Sequence, residues 1–184
     1  MDTAQNNLAQ FEQKINAAQL PPEVEEKILN LLKSPGTGAE LEKLVSYIDF
    51  VISLPFNKFS QDILDLNRAK QILDKNHYGL LVVKDRILEY LAVMILNKQS
   101  LRAEGHAPIL AFIGLVGTGK TSLAYSIAES LGRKIVRIAF GGVGDPLQLR
   151  GQSRVHPDAE AGQIIKAIKT AQFNNPVILL DEID

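Results

Sequence analysis

Apolar residues recur along this chain in two rhythms, helical from residue 8 to residue 95 and in short continuous runs from residue 109 onward. Leu8, Phe11 and Ile15 mark one face of a first helix. Leu20-Pro21-Pro22-Glu23 reads as a restart. Proline fits a first helical turn, where no amide partner is lost, and Glu23, Glu25 and Glu26 fall at the positive end of the helix dipole. Val24, Ile28 and Leu31 carry this second helix until "SPGTG" breaks it. Leu41, Leu44, Val45 and Ile48 then repeat at i, i+3, i+4 and i+7, an amphipathic stripe suited to packing or to a partner helix. "SLPFNKFSQD" is a connecting loop, after which Asp65 is placed to cap a helix over 66–75 that "NHYG" ends at Gly79. A longer helix follows, with Val83, Ile87, Tyr90, Leu91, Met94 and Ile95 on one side, and "RAEGHAP" closes it as a linker.

The second rhythm begins at "ILAFIG", residues 109–114, a continuous apolar run of the kind found in buried parallel strands. A helix is expected from Lys120 to Leu131 with Gly132 at its C-terminal end. "KIVRIAF" reads as a second strand, "GGVGDP" as a turn, "AGQIIKAIKTAQF" as another helix and "PVILLD" as a third strand. Strands alternating with helices predict an α/β fold with a mostly parallel sheet, behind an N-terminal all-α segment. The expected divisions are a helical segment over 1–50, a helical linker region over 51–105 and an α/β core over 106–184. There is no internal repeat and no low-complexity tract.

Composition narrows the partners. Twenty Lys and Arg face 21 Asp and Glu, for a net charge of -1, so no basic footprint marks a nucleic acid or an anionic membrane as partner. The chain has 0 Cys, which excludes disulfides, thiolate catalysis and cysteine zinc sites and fits a reducing cytoplasm. No apolar run approaches the roughly 18 residues of a membrane span. The opening "MDTAQNNLAQFEQKINAAQ" lacks the basic stretch and apolar block of a signal peptide. A cytoplasmic location is the expectation.

Between the first apolar run and its helix stands "GLVGTGKT": Gly114, Leu115, Val116, Gly117, Thr118, Gly119, Lys120, Thr121. It matches G-x-x-x-x-G-K-[ST] without a mismatch and in a strand–loop–helix setting. A polyphosphate has to be wrapped by backbone amides, and glycine lets the loop turn sharply and come close. The helix starting at Lys120 offers unpaired amides and a positive dipole end to the same anion. Lys120 is expected to reach the β- and γ-phosphates of ATP, and the Thr121 hydroxyl to ligate Mg2+.

The closing "VILLDE" adds a second element. Asp181, at the carboxyl end of an apolar strand, is expected to hold Mg2+ through water, and Glu182 to orient or activate a water attacking the γ-phosphate. Alone, two such carboxylates read equally well as a solvated strand end. A phosphate loop about 60 residues upstream is what gives them roles in catalysis.

With both elements placed, the chain resembles the Lon family of ATP-dependent proteases, members of the AAA+ ATPases. The resemblance extends over "YIDFVISLPFNKFSQDILDLNRAKQILDKNHYGLLVVKDRILEYLAV", "GRKIVRIAFGGVGDPLQLRGQSR" and "NPVILLDEID", nearly continuous from residue 20 to the end. It implies an incomplete P-loop AAA+ module, three-layered with a parallel sheet. It also implies a homohexamer that hydrolyses ATP to unfold protein substrates and thread them into a serine–lysine proteolytic chamber. The family's segment around "NHYGL" lies near the adenine, which brings in His77, Tyr78 and Gly79 as base-side residues; a plain helix-end pair is the other reading of His77 and Tyr78. The resemblance assigns no peptidase role within these 184 residues, and Ser122 and Ser126, on the phosphate loop and its helix, are not a proteolytic pair with Lys120.

One place departs from the family pattern. Where the family's substrate-gripping loop carries an aromatic and an aliphatic residue, this chain reads Val155, His156, Pro157, Asp158. Either His156 grips differently, or the loop is an ordinary polar one. His106 reads as a linker histidine. In AAA+ proteins the phosphate-loop strand lies between the fourth and fifth strands, so "ILAFIG" is expected here without ladder partners, and the 184 residues to be marginally stable in their α/β half and slow to hydrolyse ATP. The sequence is accordingly read as part of a longer protein. A Lon-like chaperone without a protease domain and a non-catalytic docking module are the competing readings.

Overall fold

The computed structural model describes residues 13–33, 36, 38–99, 109–141, 146–153 and 159–183. The helices are α1, described over residues 13–17, α2 (Pro22–Leu32), α3 (Ala39–Ile52), α4 (Leu66–Asn76), α5 (Leu81–Gln99), α6 (Lys120–Leu131), α7 (Pro146–Arg150) and α8 (Gln163–Ala171). The strands are β1 (Ile135–Ala139) and β2 (Val177–Asp181). The chain divides into two compact units, one of residues 1–59 and 168–174, the other of residues 60–167 and 175–184.

The first unit is helical. Pro22 opens α2 at its first position, with Glu23 and Glu25 in the first turn. Ile15, Leu20, Ile28, Leu44, Ile48 and Val51 form its buried core, Ile48 completely so. Ile15, Ile28, Leu44 and Ile48 lie on the stripes that the 3.6-residue spacing marked, Leu20 and Val51 do not, and Val24, Leu31 and Phe56 pack against the core. Leu8 and Phe11 lie outside the described residues. Polar contacts tie the loop after α3 to the rest of the unit: Asn57 Nδ2 donates to the Gln19 carbonyl at 2.7 Å, and the Asn174 amide to Lys58 O at 2.7 Å.

The second unit holds the α/β part. Asp65 caps α4 as expected, its carboxylate accepting from the amides of Asn67 at 2.8 Å and Arg68 at 3.1 Å. The core joins Ala69 and Leu73 of α4, Ile87 and Leu91 of α5, and Leu123, Ile127 and Leu131 of α6. α6 is the scaffold of the phosphate loop, so these apolar contacts are what fix the loop's base. It stops at Gly132, whose φ of 68° lets its amide fold back on Ala128 O and Glu129 O. A Cβ there would stand 2.9 Å from Ile63 Cδ1. Gly132→Ala is therefore expected to destabilise the protein by about 1–3 kcal/mol, read as a lowered urea midpoint.

β1 and β2 pair in parallel, from Ile135 opposite Val177 to Ala139 opposite Asp181. Of the three expected strands, "KIVRIAF" and "PVILLD" form β1 and β2, while the first, "ILAFIG", pairs with no strand among the described residues, as the AAA+ strand order implied. Residues 109–114 carry no ladder among the described residues, and Ile109 and Ile113 are 94% and 98% exposed. An apolar run becomes a strand only when a neighbouring strand takes its amides and carbonyls, and among the described residues no strand lies beside it. Phe112 alone of that run packs against the core.

The loop after β1 leads to α7, a five-residue helix too short for the sequence pattern to mark. Beyond it Gly151, at φ 85°, bridges to Ala161 in antiparallel fashion, and the Gln152 amide donates to Glu160 O at 3.0 Å. In the sequence Val155, His156, Pro157 and Asp158 fall between the two sides of this pairing. Those four residues, and His106, lie outside the described residues.

Candidate functional site

The phosphate-loop motif sits where α6 begins. Gly117 and Gly119 have φ of 82° and 89°, a backbone region that costs an L side chain strain, so glycine is required at both. Thr118 Oγ1 donates to Leu115 O at 2.8 Å and Ser122 Oγ to Gly119 O at 2.8 Å, which fixes the turn. Lys120 Nζ donates to Gly114 O and Leu115 O, both at 2.7 Å, so the ammonium lies folded over the loop's own carbonyls. Leu115 and Val116 point outward, 82% and 99% exposed.

The end of β2 meets this loop. Thr121 Oγ1 donates to Asp181 Oδ2 at 3.3 Å, joining residues 60 positions apart. The Glu182 amide donates to Asp181 Oδ1 at 3.2 Å. Glu182 itself sits at φ 59°, an uncommon conformation for a residue with a side chain, and it is held where a Cβ at Gly141 would run into its carboxylate. The structure thus brings together Gly114 to Thr121, Asp181 and Glu182 from two distant segments. A hydroxyl and a carboxylate side by side, next to a loop of open amides, is an oxygen donor set of the kind a hard divalent cation takes with phosphate oxygens. Among the described residues no cluster of three His, Asp or Glu offers an all-protein metal site.

Arg137 completes the group, and sequence reading passed it over. Its Nε lies 2.8 Å from Asp181 Oδ2, and its terminal nitrogen 3.9 Å from Glu182 Oε1. The signal was present in the period of the strand. Ala139 pairs with Asp181, and Arg137, two residues earlier, shares that face.

His77 and Tyr78 part company. Tyr78 is fully exposed. His77 ends α4 and is buried, its Nε2 2.9 Å from Ser126 Oγ on α6. Asn76 Nδ2 donates to the same hydroxyl at 3.0 Å and to Glu129 Oε2 at 3.2 Å. Lys84, buried on α5, donates to His77 O at 2.7 Å and to Asp74 Oδ1 at 2.8 Å. Burial holds the imidazole below its ordinary value, and the Lys84 ammonium adds to the effect.

An unfolded chain binds that proton near about pH 6.5 while the folded chain resists it. Stability is therefore full above that value and falls as pH drops from it toward the folded value. Thermal melts between about pH 7.5 and about pH 5.5 are expected to show this loss, and His77→Gln to remove it. Equal acid loss in wild type and variant would contradict the assignment.

Residues 110–184 match the family described as "ATPase family associated with various cellular activities (AAA)". Over the whole or nearly the whole chain the similarity is more particular. "Lon protease 2" of Thermus thermophilus is 43% identical over 194 residues, covering 100% of this chain and 24% of that protein. "Lon protease" of Lawsonia intracellularis is 45% identical over 185 residues, covering 98% and 22%. That of Anaeromyxobacter dehalogenans is 47% identical over 176 residues, covering 94% and 20%. The chain belongs to the Lon family. It spans about a quarter of the length of these Lon relatives. Its AAA part makes it a nucleotide-binding module. Among the described residues no helix is long and apolar enough to cross a membrane.

Proposed function

We propose that this Lon-family segment binds Mg·ATP and, within the longer protein, takes part in the ATP hydrolysis that drives the unfolding of protein substrates for an attached serine protease. The observation that carries the reading is the Thr121–Asp181 contact at 3.3 Å, which joins the phosphate loop to the acidic end of β2. The backbone amides over Gly114–Thr121 wrap the phosphate chain, and Lys120 turns from the loop carbonyls to the β- and γ-phosphates. Thr121 and Asp181 hold Mg2+, which when bound neutralises the phosphate charge. Glu182, set apart from Asp181 by its left-handed backbone, orients and deprotonates the attacking water. His77 and Tyr78 take the base side, with His77 anchoring the loop and Tyr78 offering an open ring.

In this reading residues 1–50 form an assembly or docking segment, 51–105 lead into the motor, and 106–184 are its catalytic core. The working form is a homohexamer acting on unfolded or damaged proteins in the cytoplasm. The test is a Glu182→Gln variant of the full-length protein. ATP affinity is expected to persist while ATP turnover falls about 100-fold or more, the usual weight of a general base. Turnover at the wild-type rate would remove Glu182 from the chemistry.

A further inference from the structure

Every oxygen of Asp181 already has a partner, and one of those partners is a cation. Oδ2 receives both Thr121 Oγ1 at 3.3 Å and Arg137 Nε at 2.8 Å, while Oδ1 receives the Glu182 amide at 3.2 Å. Arg137 also reaches toward Glu182 Oε1 at 3.9 Å, so one guanidinium offsets two adjacent carboxylates that would otherwise repel. Lys120, the other cation of the site, is turned toward Gly114 O and Leu115 O and leaves this task to Arg137.

We propose that Arg137 is a positioning residue that competes with Mg2+ for Asp181, holding the acidic pair ready in one arrangement and releasing Asp181 when Mg·nucleotide arrives. The proposal rests on the Mg·ATP reading of the site. A divalent ion beside Oδ2 and a guanidinium on the same oxygen are like charges at short range, so the two occupy Asp181 as alternatives. Once displaced, Arg137 keeps Glu182 as its remaining anion. The metal's arrival thereby changes the surroundings of the water-activating carboxylate as well as those of the ligand. Arg137 is 46% exposed, so the pairing has the strength of a half-solvated ion pair, enough to hold Asp181 and weak enough to yield.

The experiment titrates Mg2+ into the protein mixed with a fluorescent ATP analogue, starting from EDTA. Arg137→Gln is expected to lower the Mg2+ concentration at the midpoint about two- to fivefold. Its analogue affinity in EDTA should stay as in wild type. Arg137→Lys, which keeps the charge without the fork, should fall between wild type and Arg137→Gln. A midpoint that is unchanged or raised in Arg137→Gln overturns the proposal. So does a parallel change in EDTA, which would mark a merely structural role. Failure of the underlying site reading looks different: the wild type itself would show no Mg2+-dependent binding.

Discussion

Lys120→Ala is expected to weaken ATP binding about 100-fold or more, since it removes charge-assisted contacts to two phosphates at once. The same change should leave folding almost untouched. Among the described residues Lys120 donates to two carbonyls of its own loop, at exposed positions, and surface contacts of this kind contribute within about 0.5 kcal/mol. Calorimetric titration with ATP, paired with a urea curve on the same sample, separates the two quantities. Lost binding with an unmoved urea midpoint is the predicted pattern. Undiminished affinity would mean that the loop geometry does not serve phosphate.

The largest effect on stability is expected far from that lysine, at Asp62. Its side chain is 1% exposed and accepts from Arg133 Nε and Nη2, both at 2.7 Å, from Asn175 Nδ2 at 3.2 Å and from Lys98. Burial opposes the charge, but the hydrogen bonds from Arg133 and Lys98 outweigh it and hold the carboxyl below its ordinary value. Around this knot Ile63 N donates to Leu131 O at 3.0 Å, and Ser60 and Asn175 exchange bonds of 2.8 and 2.9 Å. The segment before α4 is thus fastened to the end of α6 and to the residues leading into β2.

Asp62→Ala removes the acceptor and leaves Arg133 partly buried without its counter-charge, at a cost of about 3–5 kcal/mol. That is a large part of a typical domain's stability. A urea midpoint within error of wild type would refute it. In wild type this contribution is present above the ordinary carboxylate value and is lost as pH falls through the lowered one.

How much of this was legible follows from what each feature depends on. α2 to α6 could be read because they announce themselves locally, by apolar spacing, by Asp65 and Gly132 at two ends, and by Pro22 at a start. The phosphate loop was legible because its chemistry constrains consecutive residues. Asp181 and Glu182 became readable only once the loop upstream gave them a task. Arg137 and Asp62 depend on register and on tertiary contact; Asp62 meets Arg133 across 71 positions, a distance no periodicity encodes. For "ILAFIG" the apolar character was visible locally, while its lack of ladder partners could be read only from the strand order of the family it resembles. Lys84 shows the same limit: a lysine on a helix reads as solvated until Asp74 and the His77 carbonyl are found around it.

At the centre of this account stand two segments, Gly114–Thr121 and Asp181–Glu182, acting as the halves of one Mg·ATP site. The most direct test is the affinity of the wild-type protein for ATP, measured by equilibrium dialysis once with Mg2+ and once with EDTA. The account predicts one saturable site per chain that tightens when Mg2+ is present. The absence of saturable binding, or an affinity indifferent to the metal, would contradict it.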